Sequence, residues 1–296
     1  MRYKVIVLTV LALTSWFVLI IFSRIASAGL ISSETLLTET EKLPYYLKDR
    51  GVGVSLSMFG TYVEKGQLYI YPFFEYYYDN DFEYSPAELG FEGELDFLGR
   101  YRASEGLLFF GYGITDWLAV EFEAAVITAE LEKADDDTSA MPEKIKESGL
   151  GDVEGQLRWR WINETGRRPE LFSYFETVFP LQKDKVLIGT QDWEFKLGVG
   201  ATKGFSFGTL TVRFAGEYDR SEDETEFGEY AVEYLKKISS RWRLYAGVEG
   251  FQDERELITE IQLHLSRTLF FKFNSAFGLT PKATDWAPEI GLVLSF

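Results

Sequence analysis

The chain has 296 residues and a formal net charge of −17, and 17% of its residues are aromatic. The acidic balance argues against a nucleic-acid-binding protein, which needs a basic surface for the phosphate backbone. The chain contains no cysteine, so disulfide scaffolds, thiol catalysis and thiolate metal sites are all excluded.

The N-terminus has the three parts of a secretory signal peptide. A basic start precedes an apolar run over residues 5–22, and Ala26-Ser27-Ala28 supplies small residues for cleavage. We therefore expect residues 1–28 to be a signal peptide. An uncleaved helical anchor is the alternative, because the run is long and Arg24 follows it. Beyond it, the sequence has no run near the ~20 apolar residues of a spanning helix, so any further membrane crossing must use strands.

Residues 29–65 are polar at first and then rich in glycine. Leu43-Pro44 and Arg50-Gly51-Val52-Gly53 interrupt any regular element in this segment. The segment is expected to form either a periplasmic tail or a plug that enters a barrel lumen, and the tail is the favoured alternative.

Residues 66–296 predict an all-β fold, a transmembrane antiparallel up-and-down β-barrel of about 12 strands. Apolar and polar side chains alternate there with a period of two, which is typical of strands with one apolar face. Residues 79–103 and 129–149 are polar and predict loops. The predicted strands are 67–78, 104–114, 117–128, 151–162, 169–180, 192–202, 209–218, 226–236, 241–251, 256–266, 268–279 and 286–296.

A soluble β-sandwich or a lipocalin-like barrel would show the same alternation, but three features favour the outer membrane. Connections after even-numbered strands are short, and those after strands one, three and five are long, as in outer-membrane barrels. An even strand number places both ends on the periplasmic side. Tryptophans lie near strand ends, where an aromatic girdle would meet the membrane surface: Trp117, Trp159, Trp161, Trp193, Trp242 and Trp286.

The last predicted strand ends the chain on Phe296, an aromatic residue of its apolar face. We expect this residue to be the assembly signal through which the barrel-assembly machinery recognises the last strand. The outer wall should contact outer-membrane lipid and lipopolysaccharide, because its apolar side chains are large enough to cover the hydrocarbon layer.

The inward-facing positions predict a narrow lumen with a charged wall of mixed sign, through which small solutes would pass without energy coupling. Inward aromatic residues, such as Tyr71 and Phe251, would narrow it further. Arg158, Arg160 and Arg213 are expected to form, with Arg241 and Arg243, a positive rung that attracts carboxylates or phosphate-bearing solutes. The predicted pore-lining residues are Glu121, Glu123, Glu154, Arg158, Arg160, Lys196, Arg213, Glu217, Arg241, Arg243, Glu249, Glu260 and Lys272.

Catalytic alternatives are weaker. His264 and Ser266 have the spacing of the pair in outer-membrane phospholipases, but a polar lumen lining is the favoured interpretation. The acids Glu121 and Glu123 could form the carboxylate pair of a glycosidase, but an ion-paired lumen lining is the favoured interpretation. The acidic run 135–137 lacks the spaced ligands of a Ca²⁺ loop. We therefore expect no enzyme, no metal and no cofactor, and a lipase-like barrel or an adhesion barrel remains as an alternative.

Two stretches occur in order, Gly111-Tyr112-Gly113-Ile114-Thr115-Asp116 and Ser148-Gly149-Leu150-Gly151-Asp152. With Ser57-Met58-Phe59-Gly60-Thr61-Tyr62, Lys65-Gly66, Phe179-Pro180 and Leu294-Ser295-Phe296, they resemble a family of outer-membrane transporters named after the meta-pathway of phenol degradation. The resemblance runs from about residue 57 to the end and departs at Leu181-Gln182, where the family usually has Thr-Gly. It implies uptake of small, often hydrophobic or aromatic compounds, and it assigns no site residues.

Overall fold

The computed structural model describes residues 43–190, 192–219 and 224–296. The expected signal peptide, residues 1–28, lies outside these ranges. The described chain begins with a short 3₁₀ helix at Tyr45–Leu47. Two short strands follow, β1 (Val54–Ser55) and β2 (Tyr62–Val63), and they pair antiparallel as a separate sheet.

Twelve further strands close into an antiparallel barrel in which each strand pairs with its sequence neighbour, so the predicted fold is confirmed. The last strand closes on the first: the Phe296 N–H donates to the Leu68 carbonyl at 2.9 Å, and the Leu68 N–H donates back at 3.0 Å. The strands are β3 (Leu68–Tyr84), β4 (Phe97–Gly113), β5 (Leu118–Glu132), β6 (Lys144–Ile162), β7 (Glu170–Phe179), β8 (Glu194–Gly204), β9 (Thr209–Asp219), β10 (Glu224–Lys237), β11 (Trp242–Phe251), β12 (Glu254–His264), β13 (Leu269–Gly278) and β14 (Trp286–Ser295).

The barrel has two rims. The terminal rim carries the start of β3, the end of β14 and the short connections at 114–117, 163–169, 205–208, 238–241 and 265–268. The loop rim, at the opposite end, carries the connections at 85–96, 133–143, 180–193, 252–253 and 279–285.

Strands β3 to β6 extend further towards the loop rim than the sequence predicts. The predicted loops 79–103 and 129–149 were wrong at both ends, because β-pairing continues to residues 84 and 132 and resumes at 97 and 144. On the extensions of β5 and β6 the alternation continues, with Ala129 and Leu131 0% exposed inside the barrel and Glu130, Glu132 and Lys144 on the outer face. The outer face is polar there, so the sequence pattern of a lipid-facing strand ends. Cross-strand ion pairs replace the apolar face, for example the Lys144 Nζ contacts to Glu130 at 2.7 Å and Glu132 at 2.9 Å.

The barrel turns its apolar side chains outward. Phe74, Leu197 and Phe273 are 49%, 64% and 42% exposed, whereas the inward-facing Glu121 and Lys272 are 2% and 1% exposed. A soluble barrel would show the reverse, so this is the arrangement of a transmembrane barrel. Among the described residues, no helix is both long and apolar enough to span a bilayer.

The six predicted girdle tryptophans all lie at or near the rims. Three of them pack side by side at the terminal rim, with ring centroids 4.4 Å apart for Trp117 and Trp159 and 5.3 Å apart for Trp159 and Trp161. Trp242 lies on the same rim, and Trp193 and Trp286 lie at the loop rim. This distribution suits side chains with an apolar ring and a polar N–H at a membrane surface.

Inside the barrel, aromatic rings cover glycines on neighbouring strands. Tyr174 of β7 pairs with Gly198 of β8, and a Cβ on Gly198 would overlap the Tyr174 ring. The same ring lies under the Arg158 guanidinium, 5.0 Å from its Cζ atom. The absence of a side chain at Gly198 therefore sets the position of a ring that contacts a lumenal charge.

We expect Gly198→Ala to destabilise the barrel by about 1–3 kcal/mol, because the buried Tyr174 ring must move to admit the methyl group. Urea unfolding of the refolded protein in lipid vesicles, followed by its gel mobility with and without heating, would measure this. Gly106→Ala is the matched control, because an added Cβ there meets nothing within 4 Å. Equal unfolding midpoints for the two variants would contradict the packing argument.

Candidate functional site: the lumen segment and the acidic cavity

Residues 43–65, the described part of the N-terminal segment, lie inside the barrel and are called the lumen segment. Val54, Leu56, Met58 and Val63 are at most 8% exposed and form one apolar cluster with inward rings of the wall, including Tyr71. The sequence favours a periplasmic tail for this segment, whereas the structure packs residues 49–63 against the inner wall of the barrel. The alternation of Val54, Leu56 and Met58 is the signal that points to a packed segment.

A buried ion-pair cluster anchors the lumen segment at the terminal rim. Arg50 Nη2 lies 3.1 Å from Glu164 Oε2 and 2.9 Å from Glu170 Oε2, and these side chains are at most 1% exposed. Burial alone would lower the pKa of the Arg50 guanidinium, but the carboxylates of Glu170 and Glu164 outweigh it and raise that pKa. The guanidinium also lies 5.0 Å from the ring centroid of Tyr62.

Further polar contacts attach the lumen segment to other strands. The Ser57 N–H donates to Glu121 of β5 at 2.9 Å. The Phe59 carbonyl accepts from Gln262 of β12 at 3.2 Å and from Lys272 of β13 at 3.3 Å. The segment is thus bound to both sides of the wall.

Asp49 adds a contact to β10, where its carboxylate accepts from the Lys237 N–H at 2.9 Å and lies 3.3 Å from Lys236 Nζ. Arg243, another predicted pore-lining residue, is half-buried and interacts electrostatically with Asp49 and Tyr69. The basic groups of β10 and β11 therefore face the lumen segment.

The predicted basic residues of β6 and β9 are bound to carboxylates. Arg158 Nε lies 3.1 Å from Glu121, and Arg160 Nη1 lies 3.4 Å from Glu170 and contacts the Gly53 carbonyl. Arg213 is held between three acids of β10 and β11: it lies 2.7 Å from Glu233 and 2.8 Å from Glu249, and it contacts Glu229.

Arg241 lies in the exposed connection before β11, at the terminal rim and not within the lumen, which corrects its predicted place in the wall. Arg241 is therefore separated from Arg158, Arg160 and Arg213, and those three are ion-paired. As a result, these arginines form no free positive rung. The unpaired charges of the lumen therefore belong to other side chains.

A cavity of about 610 Å³ occupies the lumen between the lumen segment and the loop rim. Residues 57–59 form its floor, and aromatic side chains such as Tyr71, Phe73 and Phe251 line its wall. Lys196 and Lys272 also reach it. Glutamates dominate the lining: Glu75, Glu121, Glu123, Glu154, Glu176, Glu217, Glu229, Glu249, Glu254, Glu256 and Glu289.

Several of these acids face each other across strands. Glu75 of β3 is paired in register with Glu289 of β14 on one side and with Glu105 of β4 on the other. Glu123 of β5 is likewise opposite Glu154 of β6. Like charges directly opposite each other destabilise a sheet, so this carboxylate row is a cost within the fold.

The structure distributes the predicted pore-lining residues over two levels. Glu121, Glu123, Glu154, Lys196, Glu217, Glu249 and Lys272 line the cavity, and Glu260 lies below it, paired with Lys272 at 2.9 Å. The cavity lining also contains Glu75 and Glu176, which are absent from the predicted pore-lining set. The strand that carries Glu176 has no clear alternation between residues 169 and 180, so its inward face is not evident from the sequence.

The residues of the catalytic alternative are not brought together. His264 stacks on Phe270, with ring centroids 4.5 Å apart, and its Nε2 lies 3.2 Å from Gln262 Oε1. Ser266 lies in the exposed turn that follows, 3.1 Å from Thr268 Oγ1. Within 43–190, 192–219 and 224–296, no group of three His, Cys, Asp or Glu side chains could hold a metal ion.

No protein-family model and no curated protein matches the chain. Among solved structures, it is similar to the COG4313 outer membrane channel from Pseudomonas putida F1, at 12% identity and a TM-score of 0.59 over 82% of this chain and 100% of that one. At this identity the likeness shows the fold alone. The protein is an outer-membrane β-barrel. That location follows from the closed twelve-stranded wall with its apolar outer surface.

A second match is the Ralstonia pickettii toluene transporter TbuX, at 8% identity and a TM-score of 0.38 over 79% of this chain and 89% of that one. This TM-score is too low to carry an argument about the barrel. The resemblance to the phenol-degradation family likewise stays a prediction, because no family model matches.

Proposed function

We propose that this barrel is a passive channel for small solutes across the outer membrane. The observation that supports it most is the solute-sized cavity of about 610 Å³ inside a membrane-spanning wall. A side-chain-filled lumen would have served a purely structural barrel. The outer wall would contact lipid and lipopolysaccharide, and the barrel-assembly machinery would recognise the last strand.

The lining indicates the kind of solute. Aromatic rings of Tyr71, Phe73 and Phe251 offer apolar contacts, and the carboxylates between them hold water or polar groups. A narrow cavity of this mixed character suits small solutes with an aromatic or apolar body and a polar group. The sequence resemblance to transporters of aromatic compounds agrees with this choice.

Swelling of liposomes that contain the full mature protein would test the proposal. We expect the liposomes to swell in isosmotic solutions of glycine and of phenylalanine but not of a disaccharide, because the lumen segment narrows the bore. Protein-free liposomes are the control. Swelling rates equal to that control for all three solutes would show that the barrel is not a passive channel.

A further inference from the structure

The lower and upper parts of the lumen differ in charge balance. Below the cavity, arginines neutralise the acids, as Arg50 does Glu164. In the β7–β8 part of the cavity wall, Lys196 lies 3.2 Å from Glu176 and thus balances that acid. The acids that face other acids in register lie on one continuous side of the wall, formed by β14 and β3 to β6.

On that side, carboxylates lie close to other carboxylates, and tyrosine hydroxyls are their neutral hydrogen-bond partners: Tyr71 donates to Glu289 and Tyr77 donates to Glu75. The charged groups that act on Glu75 are Glu289, Glu105 and Glu256. The carboxylates of Glu154, Glu289 and Glu75 likewise repel the carboxylate of Glu123. Because repulsion between like charges is strong where water is scarce, a cation that enters this side would relieve the repulsion.

Aromatic rings border the same carboxylates. Tyr71 and Phe73 of β3 stack with centroids 4.5 Å apart, next to Glu75 on the same strand. The Lys272 ammonium lies 5.3 Å from the Tyr71 centroid, so a cation–ring contact already exists in this wall. Tyr71 is 1% exposed, and the half-buried Phe73 ring offers the aromatic surface to a ligand. A ligand with both a cationic group and an aromatic ring would use both surfaces.

A buried donor without a partner adds a second kind of evidence. Asn274 of β13 lines the cavity, is 8% exposed and lies in register with Glu289. Within the described chain its Nδ2 has no hydrogen-bond partner. An unmade hydrogen bond of a buried amide is costly, so an oxygen atom on a ligand would satisfy it.

A second chamber of mixed lining adjoins the cavity at the loop rim. It has a volume of about 380 Å³, and Tyr77 lines both spaces. Its wall combines aromatic and aliphatic side chains with acids, namely Phe82, Tyr101 and Leu187 with Glu83, Glu88 and Glu105. A cationic solute with an aromatic body would therefore meet both kinds of surface on the way to the cavity.

We propose that the acidic cavity binds small aromatic amines, organic cations whose ring carries a hydroxyl group. The ammonium group lies among Glu75, Glu289 and Glu123, the ring packs against Phe73, and the hydroxyl oxygen accepts from Asn274. This inference rests on the proposed function, because it takes the cavity as the solute-binding part of the channel.

Calorimetric binding to the full mature protein in detergent would test this with three ligands that share one hydroxyphenyl ring. They are tyramine, a cation; tyrosol, which is neutral; and 4-hydroxyphenylacetate, an anion. We expect tyramine to bind most tightly and the anion most weakly. Equal affinities for the three ligands would overturn the proposal.

Two substitutions assign the contacts. Glu75→Gln should weaken tyramine binding roughly tenfold, because it removes a charge a few ångströms from the ammonium group. Glu123→Gln is a second variant with the same expectation. Glu92→Gln removes the same charge from an exposed position of the 85–96 connection and should leave the affinity unchanged. Equal effects of Glu75→Gln and Glu92→Gln would overturn the site.

Asn274→Leu tests the hydroxyl contact. The wild-type protein should bind tyramine more tightly than phenethylamine, which lacks the hydroxyl, and the variant should not distinguish them. A preserved difference would remove Asn274 from the site. Binding is measured without transport, so the two proposals can fail separately. Tyramine binding without liposome swelling would contradict only the proposed channel function. Liposome swelling without a preference for the cationic ligand would contradict only the proposed amine site.

Discussion

Arg50→Ala should release the lumen segment from the terminal rim and enlarge the conducting path. The substitution removes the group that binds Glu164 and Glu170, and breaking one partner out of a buried ion pair costs about 3–5 kcal/mol. The wall keeps compensating charges, because Lys203 lies 2.9 Å from Glu164 and Arg160 lies 3.4 Å from Glu170. The loss should therefore fall on the docking of the segment and spare the barrel.

Planar-bilayer recordings would measure the effect as larger single-channel steps in the variant than in the wild type. Limited proteolysis from the terminal-rim side should also cut the released segment faster. Lys48→Ala is the matched control, since it removes one positive charge from an exposed neighbouring position. If Arg50→Ala and Lys48→Ala give the same step size and the same protease resistance, the Arg50 cluster does not hold the segment.

The alternation of apolar residues predicts the barrel wall because every spanning strand meets the same two environments. Agreement is best at the terminal rim, where the turn predicted at 115–116 lies within the observed connection 114–117. It fails at the loop rim, where β3 to β6 leave the apolar layer: their outer face becomes polar, while apolar side chains such as Tyr84 and Leu131 turn inward. There the strands are held by pairing and by ion pairs such as Lys144–Glu130, which a period of two does not reveal.

For charged residues, the sequence predicts which face of a strand they occupy but not which partners they meet. Alternation predicts that Arg158 and Glu121 face inward, but only the register between β5 and β6 determines that they meet at 3.1 Å. The predicted positive rung failed for this reason: the arginines were counted along single strands, and their partners come from neighbouring strands or from the lumen segment. The row formed by Glu289, Glu75 and Glu105 arises in the same way, because the closure of the barrel brings β14 beside β3, which pairs with β4.

The motifs that carry the family resemblance have a structural meaning that their spacing did not reveal. Gly113 lies against the backbone of Glu64, where a Cβ would overlap the carbonyl, and a Cβ on Gly111 would lie 3.0 Å from Leu56. The glycines of the Gly-Tyr-Gly stretch thus leave room for the lumen segment. The Ser57–Tyr62 stretch of the same resemblance is the part of the segment that reaches deepest, towards Lys272.

The buried pair of Lys272 and Glu260 should be a second energetic centre of the barrel. The two side chains are 1% and 0% exposed, and the Lys272 Nζ lies 2.9 Å from Glu260 Oε2. Lys272→Met keeps the length of the side chain but leaves the Glu260 carboxylate buried without its cation. We expect the variant to lose about 3–5 kcal/mol of unfolding free energy.

A second substitution separates the ion pair from general packing. In the double variant Lys272→Met with Glu260→Gln, the buried negative charge is gone, and Gln262 still donates to the neutral side chain at position 260 from 2.7 Å. Most of the lost stability should therefore return, because the penalty belongs to an unpaired charge and not to the missing attraction. Urea unfolding in lipid vesicles would compare the variants. Equal midpoints for the single and double variants would mean that the carboxylate finds another cation, with Lys272 serving mainly to hold the Phe59 carbonyl of the lumen segment.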